Sequence, residues 1–177
     1  MISLIALAFA CGLSPYIPVL VLGFAARSGV GPEVRPGFGF VESWGFLGVA
    51  LVLVGLDVVL DKLPATSARM SKIGWAVRPI CGALAAGSAA GLPLALGIAG
   101  GAALALLSYG LRNWLIGRLA GRLYGLERVA VGAYSELGSA VISAFAVFIP
   151  AVGVAVAVIA AGLSLYAGRL LRTSQPK

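Results

Sequence analysis

Two carboxylates stand in otherwise apolar sequence: Asp57 in WGFLGVALVLVGLDVVLDK and Glu136 in VAVGAYSELGSAVISAFAVFI. An acidic side chain in hydrocarbon costs on the order of 3 kcal/mol, so it is retained where it binds a cation, relays a proton or pairs with a neighbouring cation. At ~1.5 Å per residue, Asp57 lies about 10 Å before Pro64 and Glu136 about 12 Å beyond Arg128, which puts both acids at one depth. Arg78, Arg112 and Asn113 come at a suitable depth to meet them. Two arrangements fit: buried ion pairs that fix helix positions, or carboxylates that face an aqueous cavity. Asp61 and Lys62 sit nearer the border, where local pairing or snorkelling makes charge inexpensive.

A second chemical signal is the stretch GLSPYIPVL, residues Gly12 to Leu20, inside an apolar run from Ile2 to Ala26. Pro15 and Pro18 each remove a backbone donor, and freed carbonyls in lipid must be satisfied by neighbouring helices, side chains or water. Ser14 and Tyr16 supply polar groups at that spot. Counted along the helix, Pro15 falls near the middle of a bilayer, about 18–20 Å from the start of the run. A packing kink and a pathway-lining break both remain open there.

The elements that must position these residues follow from composition. Of 177 residues, 60% are hydrophobic and 11% charged, and the mean hydropathy is +1.05. So few charges cannot furnish the polar surface of a soluble domain, so the chain reads as one integral membrane domain, residues 1–177. Runs long enough to cross a bilayer are Ile2 to Ala26, Trp44 to Leu63, Trp75 to Gly91, Leu92 to Ile116, Val129 to Ile149 and Ala151 to Leu171. The expectation is an all-α polytopic bundle of about six transmembrane helices, the first of them broken. No positive residue precedes the first run, which argues against a cleaved signal.

Charge orients the bundle. Lys62, Arg69, Lys72, Arg78, Arg112, Arg118, Arg122, Arg128, Arg169, Arg172 and Lys177 fall on one side of a six-span chain, and only Arg27 and Arg35 on the other. Cytoplasmic loops collect Lys and Arg, so the basic side is cytoplasmic, with both termini there. Anionic lipid headgroups are the natural counter-charge for the net +7, rather than nucleic acid. Leu111, Leu115, Leu119 and Leu123 recur every four residues beside Arg112, Arg118 and Arg122, as in an interfacial amphipathic helix. Small residues at four-residue spacing, Gly87 and Gly91 then Gly97 and Gly101, suit close helix packing within one chain or between copies in a homodimer. Three spans on either side of the Gly91 to Pro93 turn are compatible with an inverted repeat.

Histidine is absent and the only cysteines are Cys11 and Cys81. A zinc centre, a His-based triad and a disulfide framework therefore lack raw material, and no nucleophile and base pair stands out. No enzyme activity or cofactor is expected, and whether a metal ion binds is left open.

Three short motifs resemble a bacterial membrane-protein family catalogued as domain of unknown function 4126: Gly12-Leu13-Ser14-Pro15-Tyr16, Asp61-Lys62-Leu63-Pro64 and Arg78-Pro79. Ser135 with Glu136 matches a later acidic feature in part. The resemblance implies a compact multi-span protein of a bacterial inner membrane and brings no activity with it. It adds Ser14, Pro15, Tyr16, Asp61, Arg78 and Ser135 to Asp57, Glu136, Arg112 and Asn113 as candidate site residues. Together these point to a small transporter or channel for a cation, proton-coupled solute or cationic small molecule, with a cytoplasm-facing cavity. The rival is a noncatalytic membrane scaffold whose buried charges are structural pairs.

Overall fold

The computed structural model describes residues 2–62, 64–90, 93–119 and 126–173. Among them are seven α-helices: α1 (Ile2–Leu13), α2 (Tyr16–Arg27), α3 (Trp44–Lys62), α4 (Pro64–Gly87), α5 (Leu94–Leu119), α6 (Leu126–Phe148) and α7 (Pro150–Thr173). A short 3-10 turn, Gly39–Glu42, precedes α3.

The first apolar run is two helices. The residue before a proline is driven out of the helical region, so α1 stops at Leu13 and Ser14 separates it from Pro15. Pro15 itself has helical dihedrals, φ −71° and ψ −35°. Pro18 lies in the first turn of α2, where a helical N–H has no intrahelical acceptor to lose. Both prolines therefore break the run at little cost to α2.

Contacts show that α2 returns to the end from which α1 came. Leu4 and Ala8 of α1 pack with Ala86 and Ala89 at the close of α4, whereas Arg78, further back on α4, reaches Gly12 and Leu13. Thus α1 and α4 are antiparallel. The segment leaving α2 meets that same end of α4: Val34 bridges Ala89, Arg35 N–H donates to Ser88 O at 2.6 Å and Ala90 N–H to Glu33 O at 3.0 Å. At the start of α3, Trp44 meets Phe24 near the end of α2, ring centroids 6.2 Å apart. The α1–α2 pair is a folded-back hairpin with its tip at Ser14 and Pro15.

The remaining helices alternate along the bundle. Gly82 faces Gly101 and Gly74 faces Tyr109, so α4 and α5 are antiparallel, and Gly153 packs on Ala146 across the tight α6–α7 turn. Since α5 runs away from the hairpin's open end, α6 starts at the far end and α7 finishes there. The expected first helix that crosses the bundle and brings both termini to the basic side is corrected. The start of α1 and the end of α7 lie at opposite ends, because the proline break reverses the chain. Nor does the second half repeat the first: α5 runs unbroken for 26 residues.

Two other expectations change. Helix α4 begins at Pro64, not Trp75, because proline suits a first helical position and Ala, Met, Lys and Arg sustain a helix through polar sequence. Leu111, Arg112, Leu115 and Leu119 continue α5, not a separate interfacial helix; residues 120–125 lie outside the description.

Small residues fill the interior and large apolar ones cover the surface. Ala6, Ala10, Cys11, Ala85, Ala105, Ser108, Ser139 and Ser143 are buried, while Trp44 is 64% exposed, Leu107 68% and Leu163 62%. Helix α5, over Leu94–Gly117, is long and apolar enough to cross a membrane. The glycine faces are spent inside the chain: a Cβ on Gly82 or Gly101 would run into the other's carbonyl, and one on Gly97 would stand 2.8 Å from Ala86 O. That removes the expected support for a homodimer; Gly91 lies outside the described residues. Gly100 has nothing within 4 Å. Accordingly, Gly101→Ala should destabilise the protein by about 1–3 kcal/mol, whereas Gly100→Ala should be neutral or stabilising by up to about 1 kcal/mol; thermal unfolding in detergent reads the opposite signs.

Candidate functional site

The hairpin tip exposes backbone acceptors inside the bundle. Ser14 N–H still donates to Ala10 O at 3.0 Å, but Gly12 and Leu13, at the close of α1, have carbonyls that no later helical N–H takes up. Arg78 Nη1 donates to both, at 2.6 Å each. The arginine is only 5% exposed, and a cation at a helix C-terminus also meets the negative end of the helix dipole. Its guanidinium lies 4.3 Å over the Tyr109 ring, which forms a T-shaped pair with Trp75, ring centroids 5.2 Å apart.

The rest of α1 is tied in the same way. Ser108 Oγ on α5 donates to Phe9 O at 2.7 Å, and Ser139 Oγ on α6 to Ala10 O at 3.0 Å. Two glycines clear the way. A Cβ on Gly12 would overlap Ser108 Oγ and Ala105 O, and one on Gly74 would stand 2.7 Å from the Tyr109 hydroxyl and 3.2 Å from Arg78 Nε.

Asp57 and Glu136 come from different helices. Asp57, half-buried on α3, is within electrostatic reach of the Tyr16 hydroxyl and the Cys81 thiol, as Arg78 is. Arg112 stands one turn beyond Ser108 on α5, and Glu136 one turn before Ser139 on α6, so each continues the face its serine turns toward α1. Because α1 stops at Leu13, that level lies just past its end. Arg112, Asn113, Ser135, Glu136 and Tyr16 are half-buried, and Ser14 and Pro15 buried. None of Asp57, Arg112, Ser135 and Glu136 is without an interaction partner. Asp61 falls in the last turn of α3, its side chain outside the described set.

A family profile matches residues 1–170, nearly the whole chain. The chain belongs to the domain of unknown function 4126 family. No curated protein and no solved structure matches it. In this DUF4126 member, the motif Gly12 to Tyr16 and the distant Arg78 are two sides of one contact. Ser108, Tyr109 and Ser139 complete that contact and were not singled out from sequence; serines within apolar helices, at Arg112 minus four and Glu136 plus three, were the available signal.

Among the described residues no group of three or more acidic or cysteine side chains is placed to hold a metal. What the arrangement offers is a backbone break whose carbonyls are met by a guanidinium and by serine hydroxyls. Replacing Arg78 by Met should cost about 3 kcal/mol or more, because two charge-assisted bonds go and two buried carbonyls stay behind; Ser139→Ala should cost about 1 kcal/mol. Denaturant titration of the detergent-solubilised protein checks the ranking, with Arg78→Lys expected in between.

Proposed function

We propose that this protein is an integral membrane transporter or channel of the bacterial cytoplasmic membrane. Its cargo on this reading is a cation, a proton-coupled solute or a cationic small molecule. It is carried through a cavity that opens toward the basic end of the bundle. Five helices, α3 to α7, cross the bilayer, and the α1–α2 hairpin enters from the opposite side and turns at mid-depth. Lengths support this: α1 and α2 have 12 residues each, about 18 Å, against 24 to 26 residues, about 36–39 Å, in α4, α5 and α7. Irregular backbone at membrane depth is tolerated where protein or a water-filled cavity surrounds it. The apolar exterior over a small-residue interior supports the membrane placement.

The reading is carried by the hairpin tip, a buried break that has the half-buried Asp57 within electrostatic reach of Tyr16 and the half-buried Glu136 one turn before the serine that binds α1. Half-helices ending at mid-membrane, with dipole ends and freed backbone groups turned to a common point, are how transporters build ion and substrate sites. Asp57 and Glu136 bind or relay the cargo, and Arg78 holds the tip in register. Flux of monovalent cations and protons into proteoliposomes should fall by about tenfold or more in Asp57→Asn and Glu136→Gln, with melting behaviour preserved. Unchanged flux in both variants removes the carboxylates from the mechanism.

One observation favours the scaffold reading instead: Arg78 through Nη1, Ser108 and Ser139 all donate to the α1 backbone, as structural pins would. A protein that shows no flux and retains a stoichiometric partner on purification would be such a scaffold. Orientation has its own test. With the basic end in the cytoplasm, a protease site fused before Met1 should be cut from outside intact spheroplasts, and one fused after Lys177 should be protected.

A further inference from the structure

We infer that the outward face of α3 carries a binding site for one anionic glycerophospholipid. Its acyl chain lies in a glycine-floored groove and its phosphate meets Arg27. The inference rests on the membrane placement proposed above and is independent of transport.

The groove, about 420 Å³ in volume, is lined by Trp44, Gly45, Gly48, Val49, Val52 and Leu53. Its floor exists because side chains are missing: a Cβ on Gly45 or Gly48 would meet nothing within 4 Å. From Trp44 to Leu53 is nine helical steps, about 14 Å, close to half of a hydrocarbon core ~30 Å thick, so the groove matches one leaflet's acyl chain. Large apolar residues flank it, with Trp44, Val49 and Val52 each about three-fifths exposed.

The headgroup is assigned by what stands at the groove's outer end. Arg27, exposed at the end of α2, places its guanidinium 4.4 Å over the Trp44 ring. One of its nitrogens donates to the Glu42 backbone carbonyl at 3.0 Å, which holds the fork in place while its other N–H groups remain available to an anion. Phe24 packs edge-on against the same tryptophan, and Phe38, Phe40 and Phe46 form an adjoining chain of ring contacts. An aromatic cluster with an arginine is the composition of a headgroup boundary. A chain-shaped apolar groove that ends at a fixed, exposed guanidinium is complementary to a phospholipid whose headgroup carries net negative charge.

The test uses the full chain in vesicles of equal phosphatidylglycerol and phosphatidylcholine, extracted in mild detergent and weighed by native mass spectrometry. The wild type should keep one phospholipid per chain, with phosphatidylglycerol favoured by about fivefold, as one interfacial arginine warrants. Gly48→Leu, which fills the groove, should lose that lipid. Gly55→Leu, whose Cβ is equally open but lies outside the groove, should keep it. Arg27→Gln should keep a lipid without the headgroup preference. Undiminished retention in Gly48→Leu, an unchanged preference in Arg27→Gln, or a disulfide-linked dimer through Val49→Cys would overturn the site. Recovery of wild type in the aqueous phase without vesicles or detergent would overturn the membrane placement itself.

Discussion

The contact between Arg78 and the last carbonyls of α1 organises this bundle. Pro15 ends α1 in the interior, which leaves Gly12 and Leu13 with acceptors that no later helical N–H takes up. A side chain 65 and 66 residues away meets both. Lysine could supply charge there, but not a planar group that also lies flat on Tyr109. The glycines at 12 and 74 belong to the same arrangement, since each leaves the space that Ser108, Tyr109 or the guanidinium occupies. Break, cation, ring and glycines are one unit: the break without the arginine would strand acceptors, and the arginine without the break would strand a charge.

Fixing the tip at mid-bundle determines what surrounds it. Serines of α5 and α6 bind the α1 backbone, and one turn further along each of those helices comes an ionisable residue, Arg112 or Glu136. Asp57 on α3 comes within electrostatic reach of Tyr16. At the hairpin's open end, the segment around Val34 is clasped to the end of α4 through two backbone hydrogen bonds that form the Val34–Ala89 bridge. The hairpin is thus anchored at both ends, and polar groups of several helices lie near the break at Ser14 and Pro15.

The packing explains why such a charged centre is tolerated. Ala, Gly, Ser and Cys in the interior let helix backbones approach closely, as where Gly82 meets Gly101, and close approach brings side-chain donors to backbone carbonyls. The large apolar side chains are displaced to the surface, where α3 presents Trp44, Val49 and Val52. On that surface a missing side chain leaves a groove rather than a contact, so the same residue type performs opposite tasks on opposite faces.

Several features followed from sequence alone. Composition, together with the scarcity of charge, determined an all-helical chain rich in apolar spans. The position of Pro15 determined that the first run must break, because a lost N–H is local chemistry. The apolar setting of Asp57, Glu136 and Arg78 marked them as residues needing partners. What tertiary structure decided was direction and pairing. A proline does not say whether the chain bends or turns back; that depended on Val34 meeting Ala89 and on Leu4 and Ala8 meeting α4. Nor does hydropathy reveal that Arg78 serves two carbonyls, or that Ser108 and Ser139 bind α1. Those partners are distant in sequence and were selected by which helices could approach closely enough to share a hydrogen bond.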